Sequence, residues 1–205
     1  MFQKKLIYLF VFDGFADWEA AYATAEISKS KKYQVVTFAL ENKPIISMGG
    51  LRILPDITAG QIEYCNTELL ILPGGYMWEL EPAGEIIPVV KQCHKNNIPV
   101  AAICGATLFL ANAGYLDNTP HTSNQLKYLT TYSSTYCGER YYQDKPCVNS
   151  NSFITANGAA SLEFAYEILN TLKVYNKDEL DQWYKVFKHG IQHWIIPEKQ
   201  IDNIR

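Results

Sequence analysis

The sequence predicts a three-layer α/β domain in which helices cover both faces of a mostly parallel sheet. Short apolar runs of strand length alternate with longer stretches that have helical periodicity. These runs lack the polar alternation of a half-exposed sheet, and continuous apolar strands are typical of parallel sheets covered on both faces. The chain has 205 residues, 48% of them apolar, and shows no repeat, low-complexity stretch or linker. We therefore predict a single domain over residues 1–205.

The first strand, the first helix and the second strand form one unit. Residues 6–12 and 33–40 are the two apolar strand-like runs. Between them, Asp17 is predicted to be the N-cap of a helix over residues 18–29. The apolar residues that share one face of that helix are Trp18, Ala21, Tyr22 and Ala25. Glu19 lies in its first turn, just past the C-terminal end of the first strand, where sites form in open α/β sheets.

The middle of the chain predicts a hairpin, a further strand and a helix. Residues 43–55 contain two short extended pieces around a Gly-Gly pair, which indicates a hairpin at the edge of the sheet. Residues 68–72 form a strand that is followed by Gly74 and Gly75. Glycines at the C-terminal end of a strand let a ligand come close to backbone N–H donors. A helix over residues 84–96 then leads to the next strand.

That next strand carries the most informative residue of the chain. It ends at Cys104, Gly105 follows, and residues 106–113 are rich in helix formers. A thiol on a sharp turn between a strand and a helix has the geometry of a nucleophile elbow. The start of the helix offers unpaired backbone N–H groups and the positive end of the macrodipole, and both favour a thiolate.

The remaining chain predicts a short helix, a second hairpin and two longer helices. Ser123 or Asn124 would cap the short helix. Residues 141–143 and 147–155 flank a turn that contains proline, and we expect them to pair. The longer helices are predicted over residues 160–173 and 178–189.

Charge and composition argue against several classes of partner. A net charge of −3 gives no reason to expect nucleic acid or an anionic membrane. No apolar run reaches the roughly 18 residues of a membrane span, and the N-terminus does not resemble a signal peptide. The five cysteines form an odd set without a C-x-x-C pair, which disfavours a zinc site or a disulfide framework. We therefore expect a cytoplasmic protein with a small-molecule substrate, no metal and no cofactor.

Cys104 is the predicted nucleophile, and the rest of its site is sought in the same part of the sheet. The backbone N–H groups of Gly75 and Gly105 are the predicted donors for a developing oxyanion. Glu19 is the candidate acid; beside a thiolate it would be protonated, which raises its own pKa and lowers that of Cys104. His121 is the histidine at loop distance after the elbow and is the candidate base. The alternatives, a Glu19 that only complements the helix dipole and an ordinary loop histidine, stay open.

Four stretches carry a resemblance to a known family. They are residues 12–19 (Phe-Asp-Gly-Phe-Ala-Asp-Trp-Glu), 72–75 (Leu-Pro-Gly-Gly), 101–106 (Ala-Ala-Ile-Cys-Gly-Ala) and 154–158 (Ile-Thr-Ala-Asn-Gly). In order and spacing they resemble the motifs of the DJ-1/PfpI family, within the class I glutamine amidotransferase-like superfamily, over about residues 4–173. The resemblance implies a flavodoxin-like α/β/α sandwich and a homodimer. A helical extension over residues 178–205 falls outside it.

The same resemblance implies roles for individual residues. Glu19 and Cys104 would stand at the family's conserved acid and thiol positions, and Gly75 and Gly105 at its oxyanion-binding backbone positions. The histidines depart from the pattern, because PfpI-type proteases carry a histidine where this chain has Gly105. Many relatives also end a Thr-Thr-His stretch with histidine, whereas the comparable stretch here, residues 121–124, begins with it (His-Thr-Ser-Asn).

Two functions from different classes remain open at this point. The first is a hydrolase, amidase-like or glyoxalase-like enzyme in which Cys104 adds to a carbonyl, amide or nitrile carbon of a small metabolite. The second is a non-catalytic redox-sensing or stress-response protein whose Cys104 is oxidised to sulfinate. Aromatic residues near the expected mouth indicate either a partly apolar pocket or a dimer interface; they are Phe15, Trp18, Tyr76 and Trp78.

Overall fold

A seven-stranded sheet forms the centre of the computed structural model, which describes residues 3–80 and 84–194. The strands of this part of the chain are β1 (Lys5–Phe10), β2 (Tyr33–Ala39), β3 (Ile45–Ile46), β4 (Arg52–Ile53), β5 (Ile57–Thr58), β6 (Thr67–Leu72), β7 (Val100–Ile103), β8 (Cys147–Asn149) and β9 (Phe153–Ala156). The sheet has the order β5-β2-β1-β6-β7-β9-β8. Its pairs are parallel except for β8 with β9, which confirms the predicted mostly parallel sheet.

Helices flank this sheet and complete the predicted α/β/α architecture. They are α1 (Asp17–Lys29), α2 (Met77–Leu80), α3 (Ile87–Lys95), α4 (Gly105–Asn112), α5 (Leu126–Tyr132), α6 (Ser161–Thr171) and α7 (Lys177–His189). Helix α1 packs on α6, and α6 packs on α7. The four-residue α2 was not predicted, because a single turn leaves no periodicity in a sequence.

The strand order places a crevice in the middle of the sheet. From β1 the chain moves outward to β2 and then returns to β6 on the other side of β1. Such a reversal is the position at which open α/β sheets bind ligands, outside the carboxyl ends of the strands. The C-terminal ends of β1, β6 and β7 therefore define where a site is expected.

The core confirms the interpretation of the apolar runs as strands covered on both sides. In β6, β7 and β9 nearly every side chain is buried, with no alternation between buried and exposed positions. The aromatic residues of the N-terminal half form a cluster that includes Phe10, Phe12 and Trp78. This packing fixes the strand ends from which the site is built.

The buried face of α1 is not the predicted one. The residues of the predicted apolar face, Trp18, Ala21, Tyr22 and Ala25, are all exposed. The buried face instead carries Glu19, Ala20, Ala23, Glu26 and Ile27. Small side chains let α1 lie close to α6. Glu19 and Glu26 take buried positions because each carboxylate has hydrogen-bond partners there. The periodicity of apolar residues therefore predicted the wrong face.

Asp17 also differs from its prediction, since it caps no helix. Ala16 is the N-cap residue of α1 and makes no side-chain cap hydrogen bond. The Asp17 carboxylate accepts hydrogen bonds from the Ser47 hydroxyl and the Gly49 N–H instead. It ties the β3–β4 hairpin to the start of α1.

The two predicted hairpins have different outcomes. Strands β3 and β4 pair antiparallel, as predicted, but they form a separate two-stranded sheet, and β5 takes the edge beside β2. The pairing of residues 141–143 with 147–155 is wrong, because β8 pairs with β9 across a tight turn at residues 150–152. Tyr142 makes an isolated parallel bridge with His121 instead.

Two further predictions concern the cap of α5 and the C-terminal extension. Gln125 is the N-cap of α5, so neither Ser123 nor Asn124 has the predicted capping role. The predicted C-terminal extension is helical over α7, and its residues 195–205 lie outside the described part of the chain. Within residues 3–80 and 84–194 there is no helix that is both long and apolar enough to cross a bilayer.

Candidate active site

Four chain segments that leave the carboxyl ends of strands meet around one sulfur atom. Glu19 follows β1, Gly74 follows β6, Cys104 follows β7 and Gly158 follows β9. A Cβ atom built on Gly74 would lie 2.6 Å from the Cβ of Cys104 and 2.7 Å from Glu19 Oε2. One built on Gly158 would lie 2.8 Å from the Cys104 sulfur. Both positions therefore need glycine, because any other side chain would occupy the space of the thiol and the carboxyl.

Cys104 has the backbone of a nucleophile elbow. It is the residue before α4, with φ 58° and ψ −126°, a region that non-glycine residues rarely adopt. Such a conformation costs on the order of 1–3 kcal/mol and persists only where the surroundings hold it. The Cys104 N–H donates to the Ala156 carbonyl (3.0 Å), and the Cys104 carbonyl accepts from the N–H (3.1 Å) and hydroxyl (2.6 Å) of Thr107.

Glu19 is buried against the thiol. Its side chain belongs to a residue that is only 1% exposed, and Oε2 accepts the Gly74 N–H at 2.5 Å. The carboxyl also shares a hydrogen bond with Cys104. Burial raises the pKa of Glu19 from 4.5 to about 7, although the Gly74 N–H and the thiol both act in the opposite direction. The direction agrees with the prediction for Glu19, whereas its cause is burial and not the neighbouring sulfur.

The thiol differs from its prediction. Burial raises the pKa of Cys104, and the negative charge of Glu19 raises it further. The Asn124 side chain and the Gly105 N–H lower it in part. The pKa decrease expected from the helix start is therefore wrong, because the cost of burying a second negative charge beside Glu19 is larger. The two groups are in contact and titrate as a pair, and in the state with a single proton that proton can lie on either group.

Asn124 is a neighbour of the sulfur that sequence reasoning missed. Its Nδ2 lies 3.5 Å from Cys104 Sγ, and its Oδ1 accepts the Gly158 N–H at 2.9 Å. Asparagine in a polar loop has many ordinary explanations, and helix capping was the one predicted. One feature of the sequence pointed to this residue. Asn124 ends the stretch 121–124, and the corresponding stretch in many DJ-1/PfpI proteins ends with histidine.

The two predicted oxyanion donors lie side by side. A Cβ built on Gly105 would be 3.3 Å from the Gly75 carbonyl oxygen and 3.1 Å from a ring atom of Trp78. Gly75 has φ 152°, and a side chain there would collide with the Gly14 carbonyl at 2.8 Å. The Gly105 N–H already points at the Cys104 sulfur. The backbone at both positions is buried, against the Trp78 side chain at Gly105 and against the Phe12 ring at Gly75.

His121 is buried in a separate cluster. It is 0% exposed, its Nδ1 lies 2.7 Å from the Thr119 carbonyl oxygen, and its Nε2 lies 2.8 Å from the Tyr136 hydroxyl. A carbonyl only accepts, so Nδ1 carries the proton of the neutral ring and Tyr136 donates to Nε2. Burial lowers the pKa of His121. Both ring nitrogens have partners other than Cys104.

The aromatic residues predicted near the mouth divide into two groups. Phe15 and Trp78 are buried, and Trp78 donates from Nε1 to the Pro73 carbonyl at 2.7 Å, which supports the loop after β6. Trp18 and Tyr76 are exposed. The remaining thiols, Cys65, Cys93, Cys137 and Cys147, are free. Within the described ranges no three His, Cys, Asp or Glu side chains are grouped as metal ligands would be.

Comparison with known proteins adds the family. A sequence model described as the DJ-1/PfpI family matches residues 5–171. A Bacillus subtilis (strain 168) protein named uncharacterized protease YoaZ is 39% identical over 193 residues, which are 91% of this chain and 92% of that protein. The crystal structure of a thiJ/pfpI family protein from Bacillus anthracis superposes with a TM-score of 0.82 at 40% identity, covering 91% of this chain and 92% of the other. The flavodoxin-like fold is thereby confirmed.

More distant relatives bear names of different activities. The Thermococcus kodakarensis protein named deglycase TK1284 is 28% identical over 112 residues, 54% of this chain and 67% of that protein. The Caenorhabditis elegans protein named glutathione-independent glyoxalase DJR-1.2 is 25% identical over 146 residues, 68% of this chain and 74% of that protein.

Proposed function

Because the chain belongs to the DJ-1/PfpI family, we propose that it is a cysteine-dependent enzyme whose Cys104 adds to an electrophilic carbonyl of a small metabolite. The substrate class that fits the site best is a 2-oxoaldehyde, which would be converted to a 2-hydroxy acid. The observation that carries this proposal is a carboxyl of raised pKa, about 7, in hydrogen-bond contact with a thiol on a strained elbow. A group with this pKa can give and take protons at neutral pH.

The first step needs one proton and one sulfur. With the shared proton on Glu19, the Cys104 sulfur attacks the aldehyde carbon and forms a carbon–sulfur bond. The electron pair of the carbonyl π bond moves to oxygen, which takes the proton from Glu19. The product is a hemithioacetal, and Glu19 is left as a carboxylate. The backbone N–H groups of Gly75 and Gly105 are the proposed donors that stabilise the oxygen while it carries negative charge.

The later steps return every group to its starting state. The Glu19 carboxylate removes the hydrogen from the former aldehyde carbon as a proton and delivers it to the neighbouring carbon. A second proton passes from the first oxygen to the second, so the hemithioacetal becomes a thioester of a 2-hydroxy acid without an external oxidant. Water then cleaves the thioester, which releases the acid and restores the thiol. The sum is addition of one water molecule to a 2-oxoaldehyde.

Two features favour a small carbonyl over a peptide. Gly105 stands where PfpI-type proteases carry a histidine, so the proton carrier beside the sulfur is the buried Glu19. A relative named glyoxalase and one named deglycase are also consistent with carbonyl chemistry. His121 has its ring nitrogens engaged elsewhere, and we give it no proton transfer in this scheme.

The test is turnover of methylglyoxal with detection of the 2-hydroxy acid. Cys104→Ser should lower turnover by at least roughly 10³-fold, since the nucleophile is lost. Cys65→Ser is the matched control, because that thiol is exposed and lies before β6, at the opposite end of the strand from Gly74, and it should leave turnover unchanged. Turnover that survives Cys104→Ser, or a wild-type protein that consumes no 2-oxoaldehyde, would contradict the proposal.

A redox sensor is the second candidate, and one observation favours it. Donors from Asn124, Gly105 and Glu19 surround the sulfur, and the same groups would hold the oxygens of a sulfinate. Treatment with peroxide followed by mass spectrometry distinguishes the two functions. Selective conversion of Cys104 to sulfinate, together with no turnover of methylglyoxal, would favour the sensor.

We further propose that the protein is a cytoplasmic homodimer. Free thiols fit a reducing compartment. The apolar face of α1 is exposed, including Trp18 and Tyr22, and apolar surface of this kind favours association. Light scattering should give twice the mass of the chain, and the substitution Trp18→Glu should lower that mass. A monomer at micromolar concentration would contradict the dimer.

A further inference from the structure

We propose that Asn124 is a further catalytic residue of this site: its amide stabilises the charged form of the Cys104 sulfur and, because an amide takes up no proton, leaves proton transfer to Glu19. The nature of the attacked substrate rests on the proposed function. The role of Asn124 toward the sulfur rests on geometry alone and can be tested without any substrate.

The orientation of the Asn124 amide is fixed by its second partner. The Gly158 N–H can only donate, so the atom that it reaches at 2.9 Å is the amide oxygen. The amide nitrogen then faces Cys104 Sγ at 3.5 Å, within the longer reach of hydrogen bonds to sulfur. An Asn in this orientation presents N–H and no lone pair to the thiol. It stabilises a negative sulfur and repels none of its charge.

The loop that carries Asn124 is tied to the elbow itself. The Ser123 hydroxyl lies 2.6 Å from the Thr107 hydroxyl, which in turn donates to the Cys104 carbonyl at 2.6 Å. One residue earlier, the Thr122 N–H donates to the Thr155 hydroxyl at 2.9 Å. The loop is therefore held to both α4 and β9. Such support keeps a donor in place while charge develops, which is the requirement for electrostatic stabilisation of a reacting atom.

A neutral amide at this position changes which groups can accept the thiol proton. A histidine at this place could accept the thiol proton, whereas asparagine cannot at any pH at which the protein is folded. The thiol and Glu19 carboxyl then share one proton, and the Asn124 donor favours the form with the charge on sulfur and the proton on Glu19. Activation of the thiol should follow the ionisation of this pair, with no separate contribution from a base.

The first test measures alkylation of Cys104 by iodoacetamide across pH. Asn124→Asp keeps the shape and the acceptor for Gly158 but replaces the donor with a carboxylate. Alkylation at neutral pH should become at least about tenfold slower, with its midpoint about one pH unit higher. Asn124→Ala should also be slower, by about tenfold, from loss of the hydrogen bond to a charged group. Gln125→Ala is the control, an exposed neighbour in the same loop, and it should match the wild type.

The second test installs the missing base. Asn124→His should raise alkylation at neutral pH and add an inflection near the pKa of histidine, because the imidazole can take the thiol proton. Circular dichroism and the melting temperature of each variant show whether it is folded. If Asn124→Ala fails to fold, Asn124→Asp alone tests the role of Asn124, because aspartate keeps the hydrogen bond from the Gly158 N–H.

The outcomes separate this inference from the proposed function. Wild-type profiles for folded Asn124→Asp or Asn124→Ala, or an Asn124→His profile without a new inflection, would overturn the role of Asn124. A wild-type protein that leaves methylglyoxal unchanged, while Asn124→Asp still slows alkylation, would overturn the proposed function and leave the role of Asn124 standing. A wild-type protein that converts methylglyoxal, with alkylation unchanged in every Asn124 variant, would overturn the role of Asn124 and leave the proposed function standing.

Discussion

Two buried titratable groups in this chain, Glu19 and His121, have opposite relations to the site. Glu19 is 1% exposed and His121 is 0% exposed, and both were candidates from the sequence. One oxygen of Glu19 accepts the Gly74 N–H, and the carboxyl still contacts the Cys104 thiol. His121 uses both nitrogens on Thr119 and Tyr136. A buried ionisable group can serve chemistry when part of its hydrogen-bonding capacity meets a reacting atom, and it serves packing when its partners are complete.

The pKa values of Glu19 and His121 also differ in the direction of their shift. Burial raises the pKa of Glu19 and lowers that of His121, since in each case the charged form is the one that loses water. The neutral forms are therefore favoured at both positions. For His121 that state is compatible with its two fixed partners, whereas for Glu19 it supplies a proton beside a sulfur.

The largest effect is expected for Glu19→Gln. Glutamine keeps the size of the side chain but carries no exchangeable acid proton, so turnover of methylglyoxal should fall by roughly 10²- to 10⁴-fold. The control is Glu85→Gln at an exposed position, which should retain full activity. Loss of less than about tenfold in a folded Glu19→Gln protein would remove Glu19 from proton transfer.

The next effect is the pH dependence of the free energy of unfolding, which has opposite signs for Glu19 and His121. The raised pKa of Glu19 gives stability that is complete below its unfolded value of 4.5 and is lost as pH rises through about 7. A rise of this size corresponds to about 3 kcal/mol. The free energy of unfolding of Glu19→Gln minus that of wild type should therefore increase over this pH range. Urea unfolding at several pH values measures it, and a flat difference would contradict the raised pKa.

For His121 the sign reverses. Its lowered pKa gives stability that is present above the unfolded value of 6.5 and is lost as pH falls through the folded pKa. His121→Leu removes this titration and two hydrogen bonds, so it should lower the free energy of unfolding by about 2 kcal/mol at neutral pH, with the difference shrinking in acid. Turnover per folded molecule should change less than about threefold. A larger loss of turnover at unchanged stability would place His121 in the catalytic machinery.

The smallest effect is expected for Tyr136→Phe. The substitution removes the hydroxyl that lies 2.8 Å from His121 Nε2 and keeps the ring, which should lower the free energy of unfolding by about 1 kcal/mol. Combined with His121→Leu, the loss should be smaller than the sum of the two single losses, because both variants break the same contact. Strict additivity in urea unfolding would show that the contact contributes nothing.

Much of the fold could be predicted from the sequence, and the failures share a physical origin. The runs that became β1, β2, β6 and β7 were correctly identified, because a strand that lies between two layers of helices is largely apolar. Errors arose where partners lie far apart in the chain. Asp17 reaches Ser47, and Tyr142 bridges to His121 rather than to residues 147–155. Local patterns contain no information on which distant segment will meet a given side chain.

The sequence by itself determined the elbow and the position of Glu19 beside it. A strand, a cysteine, a glycine and a helix in succession predict a sharp turn at the cysteine, and Glu19 follows the neighbouring strand at the same edge of the sheet. Only the tertiary structure decided which loop residue meets the sulfur. His121 and Asn124 are three residues apart on one polar loop. The loop donates to the Thr155 hydroxyl, bonds the Thr107 hydroxyl and accepts from the Gly158 N–H. These contacts turn Asn124 toward Cys104 and leave His121 to Tyr136. Those bonds join the loop to α4, to β9 and to the turn after β9, so they exist only once the chain has folded.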